Sequence, residues 1–73
     1  MSERPLGMAD VGEAGVIRRV VCGDGLRAQL ARLGLREGAS IAVTGAPKDC
    51  LMVATGNASI SLDRITAMSI LIE

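Results

Sequence analysis

The chain has 73 residues, eight Lys and Arg against eight Asp and Glu, no histidine, no aromatic residue, and hydrophobic side chains at 49% of its positions. That length holds one small domain whose core lies near the lower limit of self-sufficiency. A formal net charge of zero sets up no global field toward nucleic acid or an anionic membrane, and without Phe, Tyr or Trp no ring is present for a base to stack on.

Enzyme chemistry is equally short of parts. With no histidine in the chain, neither a serine nor Cys22 nor Cys50 has an imidazole to activate it. Asp49 and Asp63 have ordinary loop and capping explanations. The two cysteines are too few and too far apart for a disulfide framework or a CxxC metal site, and read as small buried apolar residues in a reducing cytosol. No catalytic, cofactor-binding or metal-ligating residue is therefore assigned, and no cofactor is expected. No apolar run approaches the roughly 18 residues a membrane span needs, and Met1 to Met8 contains no signal-like apolar stretch. A soluble, unexported, cytoplasmic protein without membrane insertion is expected.

In chain order, residues 1–5 read as a flexible polar tail and residues 6–73 as a single domain. Gly7, Gly12 and Gly15 punctuate an irregular or edge lead-in. Val16 to Cys22 is β-branched and reads as a strand. Ile17 and Val20 cannot face the same way on a straight strand, so a bulge or kink is expected around Arg18-Arg19.

Gly25 to Gly38 carries the clearest local plan. Asp24 is a candidate N-cap, and Leu26, Leu30 and Leu33 fall at i, i+4 and i+7, one apolar stripe that reads as core. Gly34 stands where a left-handed residue ends a helix, and Leu35 follows at the position that packs back on Leu30 in a Schellman ending. Glu37-Gly38 then reads as a type II turn, with glycine at the position that requires positive φ. Gly23-x-Gly25-x-x-Ala28 matches the spacing of a dinucleotide fingerprint. The helix, however, stops at Gly34 and leads to hairpins rather than to a parallel strand, so that reading is set aside.

Ser40 to Thr44 alternates, with Ile41 and Val43 inward. Ala46-Pro47-Lys48-Asp49 breaks the pattern as a loop. Leu51 to Thr55 pairs with Ala58 to Leu62 through Gly56-Asn57, a two-residue hairpin link. Asp63 caps a short helical turn that leads to Met68, Ile70 and Ile72 on a last alternating strand. About five short strands with one inserted helix and no βαβ alternation point to a mostly β, SH3-like or OB-like barrel.

Arg18, Arg19, Arg27, Arg32 and Arg36 are crowded into one segment and form a candidate basic face. Leu35 and the Ala46-Pro47 loop belong to turn segments, where apolar side chains are harder to bury. Arg27, Arg32, Leu35, Arg36 and Pro47 are thus the candidate partner-binding residues.

The pattern as a whole resembles the FeoA family. The likeness begins at Leu6 and Gly12 and continues through Ile17 and Val20. It is most specific at Arg27, Leu30, Leu33-Gly34-Leu35 and Gly38, which are similar to the family's "RLxxLGLxxG" core. It then runs through Ile41, Val43, Ala46-Pro47, Ile60, Leu62, Ala67, Ile70 and Ile72. The chain departs from the family pattern at Pro47-Lys48-Asp49-Cys50, which lacks a glycine and a second proline. The resemblance implies an SH3-like barrel with an inserted helix, and a small cytosolic accessory protein of ferrous iron uptake that acts with the FeoB-type membrane transporter through its GTPase domain. A second reading is a metal-responsive or nucleic-acid-associated regulatory barrel on the same scaffold. Direct nucleic-acid binding is not expected, and self-association is left open.

Overall fold

Strand β2 (Ala14–Val20) holds the molecule together because it changes partner along its length. In the computed structural model, which describes residues 3–56 and 58–73, its first half pairs with β3 (Ser40–Gly45) and its second half with β6 (Ile70–Ile72), both antiparallel. The change occurs at the expected kink: Ile17 pairs with Ile72 and Arg19 with Leu71, leaving Arg18 as the extra residue. A bulge bends its strand and increases the local twist, and here it brings both Ile17 and Val20 into the core.

Among the described residues six strands form one sheet in the order β1-β6-β2-β3-β4-β5, where β1 is Arg4–Pro5, β4 is Cys50–Thr55 and β5 is Ala58–Asp63. Three expectations are corrected. The strands number six rather than about five, and pairing starts at Arg4 opposite Ile72, inside the stretch read as a flexible tail. The barrel is not closed either: β1 and β5 are the two ends of the strand order, with no ladder between them among the described residues.

The physical reason lies in β1. It is two residues long, and Pro5 has no N–H with which to extend a ladder. The chain instead turns into a single 3-10 turn at Leu6–Met8. Between β5 and β6 runs the short helix α2 (Arg64–Ala67), and the Arg64 Nη1 donates to the Gly7 carbonyl at 2.7 Å, joining these two turns where the sheet stays open.

The β4-β5 hairpin has the expected register, Thr55 opposite Ala58 and Leu51 opposite Leu62; the Asn57 half of its link lies outside the described residues. β3 and β4 contain a bulge absent from the sequence reading, at Thr44, whose hydroxyl donates to the Met52 carbonyl at 3.2 Å. The core is aliphatic throughout. Leu6, Ile17, Val43, Leu51, Val53, Ile70 and Ile72 have almost no exposed surface, and Leu35 joins them. Ile41 and Val43 point inward as their alternation requires. Met68 does not continue the β6 pattern: it caps α2 and is exposed, because the strand begins only at Ile70. Cys22 and Cys50 are half-buried free thiols, and Cys22 packs against the edge of the core.

Candidate functional site

Helix α1 (Asp24–Arg32) is attached to the core by one side chain of its own, Leu30. The expected three-leucine core stripe is therefore corrected: Leu26 is 37% exposed and Leu33 is 48% exposed. The helix meets the sheet with one edge, so that a single position in each two turns reaches the core. Asp24 is not the N-cap. Gly23 takes that position, with no side-chain capping bond, and Asp24 is the first helical residue, where a carboxylate still complements the helix dipole.

The end of α1 follows the sequence reading closely. Leu33 is the C-cap, Gly34 adopts φ +93°, the Gly34 N–H donates to Ala31 at 3.0 Å and the Leu35 N–H donates to Leu30 at 2.9 Å. These are the two bonds of a Schellman motif. Its consequence for Leu35 is the reverse of the expected one. The bend folds the leucine inward, and it has no exposed surface. Gly38 then turns the chain at φ +90°, the Ala39 N–H donates to Arg36 at 3.1 Å, and the Gly38 N–H donates to Ile17 at 2.8 Å, fastening the turn to β2.

Between α1, β2 and this turn lies a groove of about 320 Å³ lined by Val20, Arg27, Ala31, Leu35, Arg36 and Glu37. Leu35 is its buried floor; Arg27 and Arg36 are exposed at its sides. Three of the five candidate residues thus come together. Arg32 and Pro47 do not line this groove; both are exposed, Arg32 at the end of α1 and Pro47 in the β3-β4 loop.

The basic face is also smaller than the sequence suggests. Arg18 pairs with Glu73 at 2.8 Å and Arg19 with Glu3 at 2.7 Å. Among the described residues Arg27, Arg32 and Arg36 make no ion pair, so their guanidinium groups are available to an incoming anion.

A second apolar surface was not anticipated. Met8, Ile65 and Met68 are 69%, 82% and 42% exposed, and they line a cleft of about 560 Å³ together with Asp49, Asp63 and Arg64. The signal in the sequence was weak: the three residues come from two short turns separated by most of the chain. Among the described residues no group of three or more potential metal ligands is present, and no helix is long and apolar enough to cross a membrane.

Solved structures share this architecture. A crystal structure of an iron uptake regulatory protein (FeoA) superposes with a TM-score of 0.89 at 22% identity, covering 99% of this chain and 97% of that one. The NMR structure of a FeoA-like protein from Clostridium acetobutylicum gives 0.88 at 20% identity, with 100% and 87% covered. A manganese-dependent transcriptional repressor matches at 0.84 and 20% identity, but the match spans only 40% of that longer chain. At these identities the likeness establishes the fold. A search among curated proteins finds no match. The FeoA domain family matches residues 4–73, a span that starts at the first paired residue of β1 and takes in every strand and both helices; the chain belongs to the FeoA domain family.

Proposed function

We propose that this protein is a small cytoplasmic accessory factor of ferrous iron uptake that binds the cytosolic GTPase part of a FeoB-type membrane transporter. The groove beside α1 is the contact. One observation carries the assignment of the surface: Arg27 and Arg36, free of ion pairs among the described residues, flank the apolar floor made by Leu35 and Ala31. An apolar side chain of the partner fills the groove, and a carboxylate beside it meets the guanidinium groups, which are suited to planar two-point contacts. Leu35 acts from below, as the floor, and not as an exposed anchor. Arg32 and Pro47 are peripheral to this contact.

The test is titration calorimetry of the purified GTPase domain against wild type and the Arg27→Glu, Arg36→Glu double variant. Reversal of two interface charges should weaken binding at least about tenfold, and GTP turnover by the transporter should lose whatever response the wild type elicits. Equal affinity of the two proteins would remove the groove from the interface. The likeness to the repressor domain supports a second reading, a regulatory binding module on an SH3-like scaffold; salt-dependent retention on DNA would favour it.

A further inference from the structure

Strands β1 and β5 end the strand order, and they are unlike as edges. β1 is two residues long and finishes in proline, and both features keep an edge from pairing with another chain. β5 has neither protection. Its ladder with β4 runs from Thr55 opposite Ala58 to Cys50 opposite Asp63 without a register shift, and Ala58 to Leu62 contains no charged residue and no proline. Apart from that ladder, no backbone group of Ala58–Asp63 takes part in a hydrogen bond among the described residues.

One bond tells which backbone groups of β5 point outward. The Arg64 N–H donates to the Asp49 carbonyl at 2.8 Å, one step beyond the Cys50 and Asp63 pair. Bonded and non-bonded pairs alternate along an antiparallel ladder. Leu62, Ile60 and Ala58 therefore turn their N–H and C=O groups to β4, while Ser59, Ser61 and Asp63 turn theirs to the open side. The side chains alternate as well: Leu62 is buried and Ile60 half-buried on one face, whereas Ser59 and Ser61 are exposed on the other. A serine is too short to screen its own backbone from an approaching strand.

We propose that β5 is a self-pairing edge, through which two copies of the chain join antiparallel about a two-fold axis at Ile60 and continue one sheet into the other. The occupant follows from the pattern of the strand itself. Ser59 and Ser61 stand on either side of Ile60, with the apolar Ala58 and Leu62 beyond them. Two-fold pairing sets Ser59 of one copy against Ser61 of the other, so that the outward N–H and C=O groups of both residues are exchanged. Ile60 meets its counterpart and Ala58 meets Leu62, apolar against apolar on one face. The one charged residue of β5, Asp63, stands three positions from the axis. At about 3.4 Å per residue the two carboxylates lie roughly 20 Å apart along the strands, beyond the screening length at physiological salt, so the edge does not repel itself. The same patch serves on both copies, and the assembly closes as a dimer. One short strand from each copy buries less than the roughly 1,200 Å² of stable interfaces, so the dimer is weak. No residue of β5 lines the groove assigned to the transporter; the inference goes beyond that reading and does not depend on it.

Sedimentation and amide exchange on the full chain test the idea. The mean mass should rise from monomer toward dimer, and no further, between about 10 μM and 1 mM, with little dependence on salt. Over the same range the Ser59 and Ser61 amides should exchange at least about tenfold more slowly, while the Ile60 amide, already bonded to β4, should not change. Ser61→Pro removes an outward donor without breaking a bond to β4 and should leave the chain monomeric. Where that variant is unfolded, the Ser59→Lys, Ser61→Lys double variant serves, because its like charges fall opposite one another across the axis and should abolish the dimer. Ser59→Lys with Ser61→Glu places opposite charges there and should retain it. A wild type that is monomeric throughout the range overturns the proposal and leaves the edge to an extended segment of another protein. A dimer that survives the double lysine substitution also overturns it, as does one that leaves the Ser59 and Ser61 amides unprotected.

Discussion

The Leu35 N–H donates to the Leu30 carbonyl at 2.9 Å, and the side chains of the same two residues are both buried in the core. One short loop thus ends α1, attaches it to the sheet and places the floor of the arginine groove. Leu30 anchors the helix from its last turn, Leu35 anchors the chain just beyond it, and Gly34 is the hinge between them.

Gly34→Ala tests that hinge. At φ +93° a Cβ would meet the Thr55 side chain at 3.5 Å, an ordinary contact, so the penalty comes from the backbone conformation. We expect a loss of about 1–2 kcal/mol in urea unfolding, the cost of the left-handed region for an L-residue. An unchanged midpoint would mean that the bend tolerates another conformation.

Leu35→Ala and Leu33→Ala separate the buried leucine from the exposed one. Leu35 has no exposed surface and its truncation should cost about 2–5 kcal/mol. Leu33, 48% exposed, should cost less than about 1 kcal/mol, as for surface positions. Similar denaturation midpoints for the two variants would contradict the inward turn of Leu35.

Acid should loosen the lead-in to β2. The Glu13 carboxylate accepts the Asp10 N–H and pairs with Arg4, each at 2.6 Å, and these contacts hold its pKa below the usual glutamate value, the backbone hydrogen bond most strongly. A depressed pKa contributes stability that is present above the unfolded-state value and is lost as pH falls through the folded one. Wild type should therefore exceed Glu13→Gln in stability at neutral pH, and the two should converge from about pH 5 downward. A gap that widens in acid would give the wrong sign.

Much of the local structure was legible because it is determined within a few residues. The Schellman ending needs only Leu30, Gly34 and Leu35, and the Asp63 cap needs only the Thr66 N–H three residues on. The β2 kink followed from the incompatible facing of Ile17 and Val20, both of which the structure buries. The candidate site was less legible. Arg27, Leu35 and Arg36 do meet at one groove, but Leu35 lies beneath it, and the cleft at Met8, Ile65 and Met68 depends on two turns meeting through Arg64 and Gly7.

By itself, then, the sequence determined where the chain bends, which strands alternate and which family it belongs to, since turn chemistry, side-chain period and motif spacing are all properties of neighbouring residues. Only the tertiary structure decided what each bend faces. A helix that rests on its sheet through one side chain can expose Leu26 and Leu33 while Leu35, in a turn, goes to the core. A sheet whose first strand is two residues ending in proline has no ladder between β1 and β5 among the described residues. Both outcomes rest on contacts between segments far apart in the chain, and no local periodicity encodes them.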